Sequence, residues 1–230
     1  MEPSSFREIG KETLYSGYKH MEHHIIPVTA FEQNSTLLWC KRTRRGAVVD
    51  PGGDIPRIMD AARAAGVTVD KILLTHGHID HAGGAQALSE QWDIPIEGPH
   101  PDDEFLLTQL PDQASLFGFP PCSACRPDRW LSHGDVIHFG QITLDVLHTP
   151  GHTPGHVAFF HPGSRLACVG DVLFAGSVGR TDFPRGDYDQ LLRSINNTLL
   201  TLGDDVRFIP GHGPTSTFGY ERRHNPFLIA

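Results

Sequence analysis

Apolar residues recur along the chain at two periods, and the switching between them predicts strands and helices in turn. "HHIIPVTAF" (23–31) and "STLLWCK" (35–41) are short β-branched and aliphatic runs separated by "EQN", the pattern of two strands and a turn. "GAVVDPGG" (46–53) is a further strand that breaks at Asp50 to Gly53, where a proline and two glycines impose a tight turn. "IPRIMDAARAAG" repeats its apolar residues at helical spacing and stops at Gly66. "KILLT" (71–75) predicts a buried strand that delivers His76 at its end, and "GGAQALSEQW" (83–92) restarts helix.

Beyond this point "IPIEG" (94–98) reads as a short strand and "PDDEFLLTQL" (101–110) as a short helix, whereas residues 111–129 read as an irregular insertion. "ITLDVLHT" (142–149) and "HVAFFH" (156–161) predict strands around a Pro-Gly loop, and "RLACVG" (165–170) predicts one that ends at Asp171. "DYDQLLRSINNTLLTL" (187–202) has helical spacing, and "VRFIP" (206–210) is a last strand running into "GHG". Residues 1–21 show no periodicity and read as an N-terminal extension, leaving 22–230 as one domain. Several strands in each half, interspersed with helices, predict an α/β fold of two sheets flanked by helices, with polar clusters on the loops at one end.

Charge narrows the partners. The chain has 27 acidic and 19 basic residues, a net charge of −8, so its field repels phosphate backbones and anionic lipid. Neither nucleic acid nor a membrane is an expected partner; oligomeric state leaves no trace in the sequence. No run reaches the roughly 18 apolar residues of a membrane span, and the first 20 residues lack the apolar core of a secretion signal, so a cytoplasmic protein is expected. Four cysteines, at 40, 122, 125 and 168, are too few and scattered for a disulfide framework. Cys122 and Cys125 form a CxxC inside the Pro-rich "FPPCSACRPD"; without a second CxxC they read as two loop thiols rather than a zinc or redox pair.

Candidate chemistry concentrates in "LLTHGHIDHAGG" (73–84). Residues two apart on an extended segment point the same way, so His76 and His78 can hold one ion while Asp80 and His81 turn toward another. His152, Asp171 and His212 each lie just after a predicted strand, where a rigid sheet can fix their geometry. Seven donors exceed the needs of one four-coordinate ion. Two divalent ions sharing Asp171 would each have four protein ligands: His76, His78, His152 and Asp171 for one, Asp80, His81, His212 and Asp171 for the other. Nitrogen and oxygen donors without cysteine accept Zn, Fe or Mn.

"THGHIDH" resembles the HxHxDH signature of the metallo-β-lactamase superfamily, and His152, Asp171 and His212 follow in that family's order. The resemblance covers nearly everything after about residue 22. It implies the αββα metallo-β-lactamase sandwich, two mixed β-sheets flanked by helices, with the metal site at the strand-end loops. It also implies that Asp80 both binds metal and orients the nucleophile, and that His152, rather than His148 or His156, is the ligand. His81 and Asp171 depart from class B1 β-lactamases, which replace that histidine and carry a cysteine at the later position. His78 departs from flavodiiron relatives, which carry Glu there.

"GSVGRTDFPRGD" (176–187) and "GHGPTSTFGYERRHNPF" (211–227) are similar to the short bacterial glyoxalase II-like group, the hydroxyacylglutathione hydrolases. That likeness implies hydrolysis of a thioester such as S-D-lactoylglutathione to D-lactate and glutathione, with Arg180 as the basic substrate-binding residue. A salt bridge to Asp182 or Asp187 is the competing role for Arg180. The long glyoxalase II enzymes carry a C-terminal helical domain for glutathione that this sequence lacks, so a shallower thiol site is expected. Two other activities share parts of the pattern: mononuclear iron persulfide dioxygenases, which also carry a "GRTDF" segment, and phosphodiesterases or nucleases, against which the net charge weighs.

Overall fold

The computed structural model describes residues 21–229, so the extension expected over residues 1–20 lies outside the described residues. Met21, placed in that extension by its lack of periodicity, instead opens the first strand. Strands β1 (Met21–Val28), β2 (Gln33–Cys40), β3 (Arg45–Val49), β4 (Thr68–Leu73) and β5 (Ile96–Glu97) form one sheet in chain order. The first three pair antiparallel and the last three parallel. The second sheet contains β6 (Val136–Phe139), β7 (Ile142–His148), β8 (Val157–His161), β9 (Leu166–Gly170), β12 (Arg207–Pro210) and β13 (Ser216–Thr217), in the order β13-β12-β9-β8-β7-β6. Its β9–β12 pair is parallel and the remainder antiparallel. A small hairpin, β10 (Leu173–Phe174) with β11 (Ser177–Val178), comes directly after β9.

Period-two alternation assigns successive side chains to different layers. Leu37, Val48 and Ile72 pack outward beneath helices α1 (Ile55–Ala65) and α3 (Ala85–Trp92), through Ile58, Ala62 and Leu88. Their neighbours Leu38, Val49 and Leu73 face the other way and meet Val146, Phe159 and Ile209 between the sheets. On the second sheet Phe160, Val169 and Phe208 turn outward against Leu191 of α6 (Tyr188–Ser194) and Phe218 of α7 (Phe218–His224). The result is the four-layer order, helix, sheet, sheet, helix, with the dry seam between the two sheets.

Helix α1 starts with a proline in its first turn and ends at Gly66, whose left-handed backbone (φ 62°) lets its N–H bond back to the last turn. Short helices α2 (Ile79–Ala82), α4 (Glu104–Thr108) and α5 (Leu110–Phe117) line the loop end. Helix α5 corrects the reading of 111–129 as irregular: Pro111 falls in the first turn, where it is tolerated, and Leu110 and Ala114 bury on one face. The irregular part of that stretch is confined to the residues past Gly118. The helix expected over 187–202 ends at Ser194, passes through one π turn (Ile195–Leu199) and closes as 3₁₀. Strand β6 has only two buried residues in four, a pattern too short to detect by periodicity. Among the described residues no helix is long and apolar enough to cross a membrane.

Candidate functional site

Parallel pairing within each sheet brings the C-terminal ends of β4, β9 and β12 to one edge of the sandwich, and the polar clusters emerge there. His76 and His78 come after β4; Asp80 and His81 sit on the single turn of α2; His152 lies on the β7–β8 loop; Asp171 and His212 come after β9 and β12. The two sheets are joined across this edge by backbone bonds from Val157 N–H to Thr75 O (2.8 Å) and from Asn34 N–H to Gly211 O (2.7 Å).

All seven predicted donors are brought together, in two groups. His76, His78 and His152 form the first, with ring centroids 4.7–4.9 Å apart. Asp80, His81 and His212 form the second, with His212 Nε2 3.0 Å from Asp80 Oδ2 and His81 Nε2 3.7 Å from the same oxygen. Asp171 stands between them: its Oδ1 is 3.3 Å from His81 Nε2, and its Oδ2 is 3.8 Å from His152 Nε2 and 3.7 Å from His212 Nε2.

Hydrogen bonds on the far side of the rings fix which nitrogen faces inward. His81 Nδ1–H donates to Asp50 Oδ2 (2.9 Å), His152 Nδ1–H to Arg180 O (2.7 Å) and His212 Nδ1–H to Phe31 O (3.1 Å). Thr75 Oγ1 spends its proton on Asp50 Oδ2, so its contact with His76 Nδ1 (3.0 Å) is accepted from the imidazole. Each of these four histidines thus turns its Nε2 into the site, the arrangement metal-binding imidazoles adopt, and at His212 that nitrogen donates to Asp80 Oδ2 (3.0 Å). His76 Nε2, His81 Nε2 and Asp171 Oδ1 are buried without a hydrogen-bond partner. The 3.0 Å contact between His152 Nε2 and His78 Nδ1 needs a proton or a cation between the two nitrogens. Orphaned lone pairs converging in a buried pocket fit a divalent cation, which would satisfy all of them at once.

Electrostatics divides the cluster. Burial, reinforced by neighbouring histidines, pushes His76 well below the usual imidazole range and His78 down to about 3, and burial also lowers His152. These rings are neutral near pH 7, with lone pairs available. At His81 burial opposes the charge, but Asp171 and Asp80 outweigh it and raise the imidazole well above its ordinary value. His212 is raised likewise against burial, by its bond to Asp80 and by Asp171. Without a cation, protons occupy the more acidic half of the site.

His156 is not part of the donor set: its Nε2 accepts from Asp171 N–H (3.1 Å) and its Nδ1–H donates to Thr149 Oγ1 (3.0 Å), so it holds the Asp171 backbone in place. Arg180 forms the salt bridge to Asp182, with two 2.6 Å bonds, and its guanidinium lies 4.2 Å from the Phe183 ring centroid. It also lines the cleft over the donors. Cys122 and Cys125 are unbridged and pack against the outer core of the first sheet, where burial raises the Cys125 thiol to about 12.

Two aspartates that sequence reasoning missed organise the loops. Asp50 accepts from Thr75 N–H (2.7 Å), Thr75 Oγ1 (2.6 Å) and His81 Nδ1–H, tying both halves of the histidine motif to the end of β3. A buried acid at a strand end ahead of Pro-Gly-Gly was the available signal. Asp103 accepts from Gly77 N–H (3.0 Å), Thr153 Oγ1 (2.8 Å) and Gly155 N–H (2.6 Å), and so clamps the His76–His78 segment to the His152 loop. Nothing in "PDDEF" separates it from its neighbour Asp102.

Above the donors lies a cleft of about 970 Å³ with His78, Asp80, His152, Asp171 and His212 along its floor and Phe31, Phe117, Phe174 and Phe183 among its walls. A second histidine cluster, His100, Asp102 and His148, has a different character. Its two rings stack at 4.3 Å with an interplanar angle of 19°, and His148 Nε2–H is already donated to Pro154 O (2.9 Å).

Comparison with known proteins finds relatives that span most of the chain. The family model described as "Metallo-beta-lactamase superfamily" matches residues 28–212. The hydroxyacylglutathione hydrolase GloC of Haemophilus influenzae is 45% identical over 209 residues, covering 90% of this chain and 98% of the relative. Among solved structures, BLEG-1, a B3 metallo-beta-lactamase, superposes with a TM-score of 0.84 at 34% identity, over 91% of this chain and all of the other. TTHA1623 in a di-iron-bound form superposes with a TM-score of 0.81 at 36% identity, over 89% of this chain and all of the other.

Proposed function

The chain belongs to the metallo-beta-lactamase superfamily, and from that premise we propose that it is a metal-dependent hydrolase of the glyoxalase II type, acting in the cytoplasm on a glutathione thioester such as S-D-lactoylglutathione to give D-lactate and glutathione. The observation that carries this reading is the convergence of inward-facing lone pairs with no partner among the buried groups. His76, His78 and His152 would hold one divalent ion and Asp80, His81 and His212 a second, with Asp171 shared between them; Zn, Fe and Mn all suit these donors. Ions bound there supply Lewis acidity to a carbonyl oxygen and lower the pKa of water to about 7.

The chain's own groups supply the rest. Asp80, at the cleft floor, is held in its carboxylate form by His81 and His212 against the cost of burial, so it can accept a hydrogen bond from the attacking water and orient it. Asp50, the Arg180 carbonyl and the Phe31 carbonyl lock the tautomers of three donor rings before substrate arrives. Arg180 sits at the cleft rim, where releasing Asp182 would free a guanidinium for a substrate carboxylate. Thiolate is a good leaving group, so no strong general acid is needed.

The test is metal analysis of the purified protein together with turnover of S-D-lactoylglutathione, with His78→Ala as control. Two ions per chain, thioester cleavage, and loss of both in the variant are expected. One iron per chain with oxygen consumption and no thioester cleavage would replace the hydrolase with a persulfide dioxygenase.

A further inference from the structure

A second cavity of about 500 Å³ adjoins the cleft, bounded by the Gly52–Gly53 and Gly83–Gly84 turns and by the 117–123 segment. Phe31, Ile79 and Phe117 line both cavities, and so form the wall between them. Ile79 is buried and belongs to the histidine motif, but Phe31 is 47% exposed and Phe117 41% exposed. Large apolar side chains are left in water on this wall, and Leu116 beside them is 77% exposed.

The wall is anchored to the site. Phe31 rides on the β1–β2 turn, where Thr29 takes a left-handed backbone (φ 62°) with its N–H donated to Asp54 Oδ2 (2.7 Å). Its carbonyl accepts from His212 Nδ1–H, and its ring packs edge-on against Phe119 at 5.0 Å. Phe117 ends α5 immediately before Gly118, itself left-handed (φ 73°), and meets Phe183 edge-on across the cleft. Charge around the cleft points the same way: the cation lining it is Arg180, already paired with Asp182, and Asp112 lines it as well. The part of a ligand that lies along this wall is therefore apolar rather than anionic.

We infer that Phe31 and Phe117 close the cleft against the second cavity, and so set the length of apolar tail that a ligand bound at the donors can carry. The inference rests on the thioester reading for the position of the reacting group, but not for the binding it predicts. A tail running from the donors along Phe31 meets the partition, and truncating either ring opens the cleft into the space behind it. Each methylene newly buried there raises affinity by about fourfold.

S-alkylglutathiones with tails of four to ten carbons, which have no thioester to cleave, provide the probe, with affinity measured by calorimetry on the metal-loaded protein. For wild type, affinity is expected to rise with tail length and then level off; for Phe31→Ala and, separately, Phe117→Ala the rise continues for two or more further carbons. Both rings are partly exposed, so truncation spares the core, and metal content checks that the site is intact. Identical length dependence in wild type and both variants overturns the inference. Absence of S-D-lactoylglutathione turnover with the length dependence preserved refutes the thioester reading and leaves the length limit set by Phe31 and Phe117 standing.

Discussion

Asp103→Ala tests the clamp between the two donor loops. The carboxylate is fully buried, and its two oxygens accept three hydrogen bonds. Its removal leaves two backbone N–H groups and one hydroxyl unpaired, at about 1 kcal/mol each by the lower bound for buried groups, or about 3 kcal/mol in all. Burial also raises this carboxyl from 3.8 to about 6, more than its hydrogen bonds lower it. A folded-state value above the unfolded one means that the wild type is stabilised by protonation and loses stability as pH rises through that window. Working the linkage from those two values, wild type loses about 1.4 kcal/mol between pH 5 and pH 8, a loss the alanine variant does not share. The penalty of the substitution should therefore fall from about 3 kcal/mol at pH 5 to about 1.5 kcal/mol at pH 8. Urea unfolding of both proteins with the same chelator present measures it, since the donor histidines titrate alike in each and cancel in the difference. A penalty below about 1 kcal/mol at pH 5, or one that grows toward pH 8, refutes the clamp.

Three further outcomes are expected from the same geometry. In Gly211→Ala the new Cβ would stand 2.0 Å from Asp171 Oδ1 and 2.6 Å from His81 Cε1, so metal content should collapse while the far-ultraviolet circular dichroism persists; a variant with full metal content contradicts the packing. Because Asp171 and Asp80 raise His81 against its burial, protons compete with a cation there, and metal affinity should fall on acidification by on the order of tenfold per pH unit for each proton displaced; equilibrium dialysis at pH 5, 6 and 7 showing flat affinity would count against the assignment. Arg180→Ala removes an exposed ion pair and should leave Tm unchanged while raising KM for a carboxylate-bearing thioester; an unchanged KM removes Arg180 from the substrate site.

The donors were legible in the sequence because their spacing carries the chemistry: four lie within six residues, and each of the other three comes just after a predicted strand. Local pattern also sufficed for α1, where helical spacing, an early proline and a terminal glycine agree. It failed where the tertiary context decides. Pro111 reads as a breaker and acts as a helix starter, and Asp103 acquires its role only when the chain folds back to set Gly77 and Gly155 against it. Phe31 likewise looks like the end of a strand, and its position between two cavities depends on α5, more than 75 residues later.

The donors hang from both sheets: His76, His78, Asp80 and His81 from loops of the first, His152, Asp171 and His212 from loops of the second. Ions shared among them would act as a rivet at one rim of the sandwich, adding about 2.7 kcal/mol to the folded state when free metal stands at a hundred times the dissociation constant. Metal supply would then govern how long each molecule survives as well as how fast it works, and starvation for metal would mark the idle copies for proteolysis by loosening that rim first.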